Sequence, residues 1–177
     1  SPDLDPAALA APGTRFVEVP ADAPGPTVGG AGTIRTAVVE AGPADGPAIV
    51  LIHGFGGSTY SWRETLPALA MLGYRAVALD LANFGLSEKR LDIDTTHPAQ
   101  ARHLLAVMDA LGIDRAVVVG HSMGGSVVAH LALAAPERVR ALVLVDAAIV
   151  PAGSGPSIAN RAAGSLVEFE PTRRLLR

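Results

Sequence analysis

A pentapeptide with glycine at both ends, Gly120-His121-Ser122-Met123-Gly124, constrains the fold of this chain more than any other feature. It lies between a β-branched apolar run, residues 116–119, and a helix-forming stretch. A strand that turns directly into a helix holds its central serine in strained backbone geometry with the hydroxyl exposed. The residues two before and two after that serine must then lack side chains, and both are glycine. The pattern predicts Ser122 as a nucleophile, with the positive end of the following helix directed at it.

A glycine-rich loop earlier in the chain predicts the second part of a hydrolytic site. The buried strand predicted over residues 49–52 runs directly into His53-Gly54-Phe55-Gly56-Gly57-Ser58. Such a loop can bring a backbone N–H to the carbonyl oxygen of a substrate held over Ser122. The amides of Phe55 and Met123 are therefore predicted to form an oxyanion hole, in which loss of one donor typically costs about 3–4 kcal/mol of transition-state stabilisation.

These motifs together resemble the α/β-hydrolase family. The resemblance extends from about residue 16 to residue 150, and the segments that carry it are residues 53–57, 80–87, 120–125, 136–139 and 142–146. It implies a hydrolase of the branch that contains serine esterases, carbon–carbon bond hydrolases and perhydrolases with a helical cap. In the middle segment the family usually has Pro-Gly where this sequence has Ala82-Asn83, and this difference bears on the shape of the substrate pocket.

The resemblance also implies which residues surround the substrate. A histidine at the start of the oxyanion loop, here His53, usually braces that loop by hydrogen bonds. The predicted pocket residues are His53, Gly54, Phe55, Asn83, Phe84 and His121. Because Ser122 replaces the aspartate nucleophile of the epoxide hydrolase and haloalkane dehalogenase branches, this chain is predicted to use serine chemistry.

The order of the predicted elements indicates the fold class. Strands are predicted over residues 16–19, 34–40, 49–52, 75–79, 115–119 and 139–145, and helices over residues 61–72, 98–111 and 123–135. Alternating strands and helices predict an α/β fold with a doubly wound, mostly parallel sheet. The predicted divisions are a flexible N-terminal arm (1–14), an α/β core (15–150) and a linker with the start of a helical cap (151–177).

Charge, composition and motifs limit the partners. The net charge is −3 and no basic stripe is present, so nucleic acid is not a predicted partner. The sequence has no cysteine, no apolar stretch long enough for a membrane span and no metal-binding or phosphate-loop motif. The segment 30–35 begins like a dinucleotide fingerprint but has Arg35 where the last glycine belongs. No metal and no cofactor are predicted, and the expected partner is a small, apolar, ester-like substrate.

The histidine base that serine chemistry requires is not evident in this chain. In this fold the order is serine, acid, histidine, and of the five histidines only His130 follows Ser122. Eight residues of helix separate the two by about 12 Å, beyond hydrogen-bond reach. The His121 side chain should diverge from Ser122, and His97 and His103 are predicted to lie at the surface. We therefore expect the base in a C-terminal polypeptide outside this chain, which would also supply the C-terminal strands that the sheet lacks.

Two aspartates follow predicted strands. Asp146 comes directly after the strand over residues 139–145, a position that some members of the resembled family use for the triad acid, whereas most use a later strand. The alternative role for Asp146 is to cap the following loop. Asp80 is instead predicted to hydrogen-bond its own loop through to Ser87.

The predicted function is cleavage of an ester, thioester or activated ketone with a modest apolar acyl group, through Ser122 and a backbone oxyanion hole. Because no base is evident, one alternative is a non-catalytic ligand-binding or receptor module on the same scaffold. A second alternative is a cofactor-free perhydrolase or lyase that uses the same triad. A histidine placed against Ser122 by a companion polypeptide would favour the enzyme.

Overall fold

The computed structural model describes residues 13–21 and 32–148. The strands in these residues are β1 (Thr14–Pro20), β2 (Thr33–Ala41), β3 (Ala48–Ile52), β4 (Arg75–Leu79), β5 (Ala116–His121) and β6 (Val139–Val145). The helices are α1 (Thr65–Met71), α2 (His97–Ala110) and α3 (Met123–Ala134), with 3₁₀ turns at Thr59–Trp62 and Pro136–Arg138. None of the helices in the described ranges is long and apolar enough to cross a lipid bilayer. The predicted arm up to residue 12 and the predicted linker and cap over 151–177 lie outside the described residues.

The strands form one sheet in the order β1-β2-β4-β3-β5-β6. β2 runs antiparallel to both β1 and β4, whereas β4, β3, β5 and β6 are parallel to one another. In the parallel part Ile52 pairs with Gly120, and His121 pairs with Val145. The predicted α/β fold with a mostly parallel sheet is confirmed, and the carboxyl ends of β3, β5 and β6 meet at one edge, where such sheets place their chemistry.

β3 shows why helices cover both faces of the sheet. Val50 and Ile52 belong to the core that contains residues of α2 and α3, whereas Ile49 and Leu51 belong to the smaller core that contains Leu66 of α1. Side chains alternate between the two faces of a strand, so a strand buried on both faces is a continuous apolar run. The sheet is therefore doubly wound, with α1 on one face and α2 and α3 on the other.

The prediction of a continuous helix over residues 61–72 is wrong in its first half. The chain instead forms the 3₁₀ turn Thr59–Trp62, and α1 begins at Thr65. Pro67 explains the break, because a proline in a helix interior removes a hydrogen bond and clashes with the carbonyl four residues earlier. Pro67 is tolerated as the third residue of α1, because the N–H groups of the first turn have no intrahelical acceptor and none is therefore lost.

The prediction that His103 lies at the surface is also wrong. Its residue is only 4% exposed, and its Nε2 lies 3.0 Å from the Oγ1 of Thr36 on β2. The buried face of α2 includes Gln100, Leu104 and Val107, so His103 falls within an apolar stripe of helical period. Burial lowers the pKa of His103 to about 4.

β6 is the last strand of the sheet in the part of the chain that the structure describes, and there it pairs only with β5. Its terminal residue, Val145, is exposed. An open edge of this kind is a template for pairing with a further strand, because its N–H and C=O groups remain without partners.

Candidate active site

Ser122 joins β5 to α3 without an intervening loop. Its φ of 51° and ψ of −117° lie in a region that residues other than glycine rarely adopt. The Ser122 N–H donates to the Val145 carbonyl at 3.0 Å, and the Ser122 carbonyl accepts the N–H groups of Gly125 and Ala148 at 3.0 Å each. Hydrogen bonds to the end of β6, to the residues after it and within α3 thus hold the strained turn that the sequence predicts.

The three glycines of this turn are required by space. A Cβ on Gly120 would overlap the carbonyl of Gly124, and a Cβ on Gly124 would lie 2.5 Å from the His53 carbonyl oxygen. A Cβ on Gly125 would overlap the side chain of Ala147. The elements can therefore pack this closely only without these side chains, as predicted for Gly120 and Gly124.

The glycine-rich loop after β3 lies directly against Ser122. A Cβ on Gly54 would lie 2.8 Å from the Nδ1 of His121 and 3.1 Å from the Cβ of Ser122. The Phe55 N–H has no hydrogen-bond acceptor among the described residues. Met123 is the first residue of α3, where an N–H has no intrahelical acceptor. The loop and the turn are thus adjacent, and each has an N–H that a ligand could use.

His53 is buried behind this loop and braces it. Its Nδ1 lies 2.8 Å from the Gly54 carbonyl oxygen, and its Nε2 accepts the Leu81 N–H at 3.1 Å. Because the Leu81 N–H can only donate, Nε2 is unprotonated and Nδ1 carries the proton. Burial lowers the pKa of His53, which keeps the ring neutral. The bracing role is as predicted, but the ring has no exposed surface, so the prediction that His53 itself lines the pocket is wrong.

Comparisons with known proteins agree with this geometry. A family model described as the alpha/beta hydrolase fold matches residues 47–175. The chain belongs to the α/β hydrolase fold family. It is 36% identical over 126 residues to bifunctional epoxide hydrolase 2 of Sus scrofa, and the matched region covers 71% of this chain and 22% of that protein. It is 42% identical over 106 residues to the putative carbamate hydrolase RutD of Variovorax paradoxus, which covers 60% of this chain and 40% of that protein.

One similar solved structure is that of a membrane phospholipase A, described as a bacterial virulence factor. The TM-score is 0.67 and the identity 32%, over 80% of this chain and 43% of that chain. This chain therefore spans less than half the length of each of these three proteins. The family predicted from the motifs is confirmed.

The loop after β4 of this α/β hydrolase has Asn83 where the family usually has glycine. Asn83 has a φ of 69°, a left-handed conformation that asparagine adopts more readily than most residues. Its Oδ1 accepts the Arg90 N–H at 2.7 Å, and its Nδ2 donates to the Arg90 carbonyl at 2.9 Å. Because both polar atoms of the amide bind the loop itself, Asn83 shapes this loop, and its place in the substrate pocket stays a prediction.

Phe84 connects the same loop to the glycine-rich loop. Its ring centroid lies 5.8 Å from that of Phe55 in an edge-on arrangement and 5.5 Å from that of His53. Aromatic pairs in this geometry contribute about 0.5–1.5 kcal/mol beyond their buried area. Phe55 is 82% exposed, so the two phenylalanines place an apolar surface beside the proposed oxyanion hole.

Asp80 hydrogen-bonds both the loop after β4 and the 3₁₀ turn that follows the glycine-rich loop. Its buried carboxylate accepts the N–H groups of Leu86 and Thr59 at 2.6 Å each, and the Ser87 Oγ donates to its carbonyl at 2.7 Å. The prediction that Asp80 bonds its own loop through to Ser87 is confirmed. The bond to Thr59 is not predicted, because no local pattern relates two residues so far apart in sequence.

None of the other four histidines makes a hydrogen bond with the Ser122 hydroxyl in the described residues. The His130 Nδ1 lies 2.8 Å from the carbonyl oxygen four residues earlier, and its ring faces that of His97 with 6.2 Å between centroids. His103 is buried against β2, and His121 ends β5 beside the glycine-rich loop. Within the described residues no histidine forms a hydrogen bond with the Ser122 Oγ. That the base lies outside this chain stays a prediction.

Asp146 directly follows β6, with a φ of 46°, and is exposed. Its side chain makes no hydrogen bond within residues 13–21 and 32–148, so the predicted loop cap is not observed there. The residue before it, Val145, accepts the Ser122 N–H, which places Asp146 next to the turn. In the same residues no group of three or more His, Asp or Glu side chains is arranged to hold a metal ion.

Proposed function

We propose that this α/β hydrolase cleaves esters, thioesters or activated ketones with a modest apolar acyl group, using Ser122 as nucleophile. The observation that carries the proposal is the strained turn at Ser122, packed against a loop whose Phe55 N–H is unpaired. Strain of this kind persists only where the surrounding structure maintains it, and it is concentrated at functional sites. Because a serine stands where the epoxide hydrolase branch has an aspartate, we propose acyl transfer and not epoxide opening.

The proposed reaction proceeds through an acyl-enzyme. The Ser122 Oγ attacks the carbonyl carbon while a histidine base takes its proton, and the carbonyl oxygen becomes an oxyanion that accepts the N–H groups of Phe55 and Met123. Breakdown of the tetrahedral intermediate expels the alcohol, thiol or carbon leaving group, which receives the proton from the histidine. Water, deprotonated by the same histidine, then attacks the acyl-serine and releases the carboxylic acid.

We propose that the base comes from a C-terminal polypeptide outside this chain. All five histidines of the sequence lie in the described residues, and none hydrogen-bonds Ser122. The same polypeptide would pair with the open edge of β6 and complete the sheet. Asp146 is the candidate acid within the chain, because it directly follows β6, the strand next to β5.

The proposed apolar acyl group rests on Phe55 and Phe84. A phenylalanine side chain that is 82% exposed leaves apolar surface in water, and covering it with an apolar ligand is favourable. The same surface would equally serve a binding module without turnover, the alternative that is permitted because none of the five histidines hydrogen-bonds Ser122.

A fluorophosphonate probe tests the nucleophile in the complete protein, the polypeptide that includes the C-terminal part. We expect labelling at Ser122, located by peptide mass spectrometry, and none in Ser122→Ala. Ser61→Ala is the matched control and should label like wild type, because Ser61 is an exposed serine of the 3₁₀ turn. Labelling that persists in Ser122→Ala would contradict the assignment, and an unlabelled wild type would favour the binding module.

A further inference from the structure

Asp80 is a charged side chain with no exposed surface. Burying a carboxylate is costly unless N–H donors and a nearby cation compensate it. The N–H groups of Thr59 and Leu86 supply two donors, each 2.6 Å from a carboxylate oxygen. Gly85 has a φ of 50°, and a Cβ there would overlap the carboxylate, so the loop is wrapped directly around Asp80.

Lys89 supplies the cation. Its Nζ donates to the carbonyls of Phe84, Gly85 and Ser87 at 3.0, 2.7 and 2.6 Å. These three bonds use all three donors of the ammonium group. Burial lowers the pKa of Lys89, and attraction by Asp80 opposes that effect.

The choice of lysine at this position is informative. Lys89 is the single lysine among 14 basic residues, the others being arginine. An ammonium group can direct its donors to three carbonyls of one tight loop, whereas a guanidinium is a planar fork suited to carboxylates and phosphates. The one lysine of the sequence thus stands at the position where three carbonyl acceptors require a compact cation.

Two hydrogen bonds join the loop that Lys89 closes to the glycine-rich loop and to the turn after it. They are the Leu81 N–H to His53 Nε2 at 3.1 Å and the Thr59 N–H to the Asp80 carboxylate at 2.6 Å. Phe55 lies between the attached residues 53 and 59, and its ring packs on Phe84 of the loop. The position of the Phe55 N–H relative to Ser122 therefore depends on the closed loop.

We propose that Lys89 is a positioning residue for the oxyanion hole, which closes residues 80–89 around Asp80 and thereby fixes the Phe55 N–H relative to Ser122. This inference rests on the proposed function and adds to it a residue that touches neither the substrate nor the reacting atoms. An oxyanion donor acts on charge that develops in the transition state. Loss of its positioning therefore lowers kcat and leaves KM largely unchanged.

The experiment compares Lys89→Met and Lys89→Arg with wild type in the complete protein, once wild-type Ser122 has been shown to react with the fluorophosphonate probe. kcat and KM are measured on a p-nitrophenyl ester. Inhibition is measured with a trifluoromethyl ketone, whose tetrahedral adduct places an oxyanion in the hole, and with the product carboxylic acid. Arg63→Met is the matched control, since it removes an exposed cation that donates to the Tyr60 carbonyl of the adjoining turn.

For Lys89→Met we expect kcat to fall about 10- to 100-fold, less than the roughly 10²–10³-fold loss that removal of a donor causes. KM should stay within about twofold, because ground-state binding is not affected. The Ki of the ketone should rise by the same factor as kcat falls, while the Ki of the product acid stays unchanged. Lys89→Arg keeps the charge but not the three-donor geometry, so its ketone Ki should rise by at least about threefold. Arg63→Met should match wild type in all these values.

Wild-type kcat and ketone Ki in Lys89→Met would overturn the inference. So would an equal loss of affinity for the ketone and the product acid, because that pattern reports general disorder of the site. If Lys89→Met does not fold, Lys89→Arg decides, and a wild-type ketone Ki in that variant rejects the inference. If wild-type Ser122 is not labelled by the probe, the proposed function is rejected and the inference with it. If wild-type Ser122 is labelled but the Lys89 variants behave like wild type, only the role of Lys89 is rejected.

Discussion

Ser122 adopts a conformation whose energetic cost its neighbours must offset. A strained backbone of this kind costs on the order of 1–3 kcal/mol. Three backbone hydrogen bonds hold the residue, and the glycines of the turn let the surrounding elements approach closely. Gly124 has too little room for a side chain, because a Cβ there would lie 2.6 and 2.5 Å from the carbonyl oxygens of Ile52 and His53, which are backbone atoms and cannot rotate away.

Gly124→Ala should therefore destabilise the protein by about 1–3 kcal/mol, the range for overpacking of a close contact. The free energy of unfolding in urea measures this effect. Leu133→Ala in the same helix is the control, and because Leu133 is 84% exposed its stability should stay within about 0.5 kcal/mol of wild type. A Gly124→Ala protein as stable as wild type would contradict the steric argument.

Phe55→Pro removes the proposed oxyanion donor, because proline has no N–H. Its kcat in the complete protein should fall on the order of 10²–10³-fold. Phe55→Ala keeps the N–H and removes only the exposed ring, so it should change the preference among acyl groups more than it changes kcat. A folded Phe55→Pro protein with unchanged kcat on a p-nitrophenyl ester would exclude this donor.

At the scale of elements, the strands around the site are predictable because local pattern and tertiary role coincide. The run over residues 49–52 is apolar throughout because both faces of β3 are covered, and the glycine spacing around Ser122 reports the junction of β5 and α3 directly. Pro67 carried the signal for the break before α1, since an interior proline limits where a helix can begin.

Contacts between segments that are distant in sequence could not be predicted from the sequence. The bonds of Asp80 to Thr59 and of His103 to Thr36 join residues 21 and 67 positions apart. Hydrophobic period tells which face of an element is buried, but a polar residue on that face, such as His103, gives no sign of its partner. Lys89 had a compositional signal, as the single lysine, but its three acceptors follow only from the closed loop.

His103 makes the packing of α2 on β2 sensitive to acid. Its pKa of about 4 in the folded protein is below the ordinary value of 6.5, so the unfolded chain binds the proton more readily. The contribution of neutral His103 to the free energy of unfolding is fully present above about pH 6.5 and is lost as the pH falls towards about 4. The loss is on the order of 3 kcal/mol, at about 1.4 kcal/mol per pKa unit.

His103→Gln removes this titration and keeps an amide that can bond Thr36. The urea midpoint of the variant should decrease less between pH 7.5 and 4.5 than that of wild type. Some decrease remains, because burial also lowers the pKa of His53 in both proteins. Leu133→Ala changes an exposed residue that does not titrate and should retain the wild-type slope. Equal slopes for His103→Gln and wild type would show that another group sets the acid sensitivity.

At the scale of the whole molecule, the proposed external base and the open edge of β6 in the described residues are two aspects of one proposal. The chain spans 22% of one relative and 40% of another, and in the described residues β6 pairs with β5 alone. We propose that a single C-terminal polypeptide supplies both the histidine and the next strand.

Residues 1–177 produced alone should therefore associate or be poorly soluble, because the edge of β6, which is open in the described residues, can pair with another copy. They should show no esterase activity on short p-nitrophenyl esters, whereas the complete polypeptide should be active. Size-exclusion chromatography and initial rates measure the two effects. A monomeric fragment that turns over esters at about 1–10³ s⁻¹, the usual range for enzymes, would reject the proposal and require one of the five histidines to act as base.

The hydrogen bonds between Ser122 and residues Val145 and Ala148 have a consequence for chimeric enzymes. The Ser126 Oγ also donates to the Ala148 carbonyl, so Ala148, the third residue after β6, is bonded both to the nucleophile and to its helix. A recombinant that joins a different downstream sequence after residue 148 inherits all of these bonds. A crossover three residues earlier keeps the bond to Val145, but the incoming sequence must then supply the N–H and C=O groups of residue 148. A proline at that position would remove the bond to the Ser122 carbonyl, although every strand would stay in place.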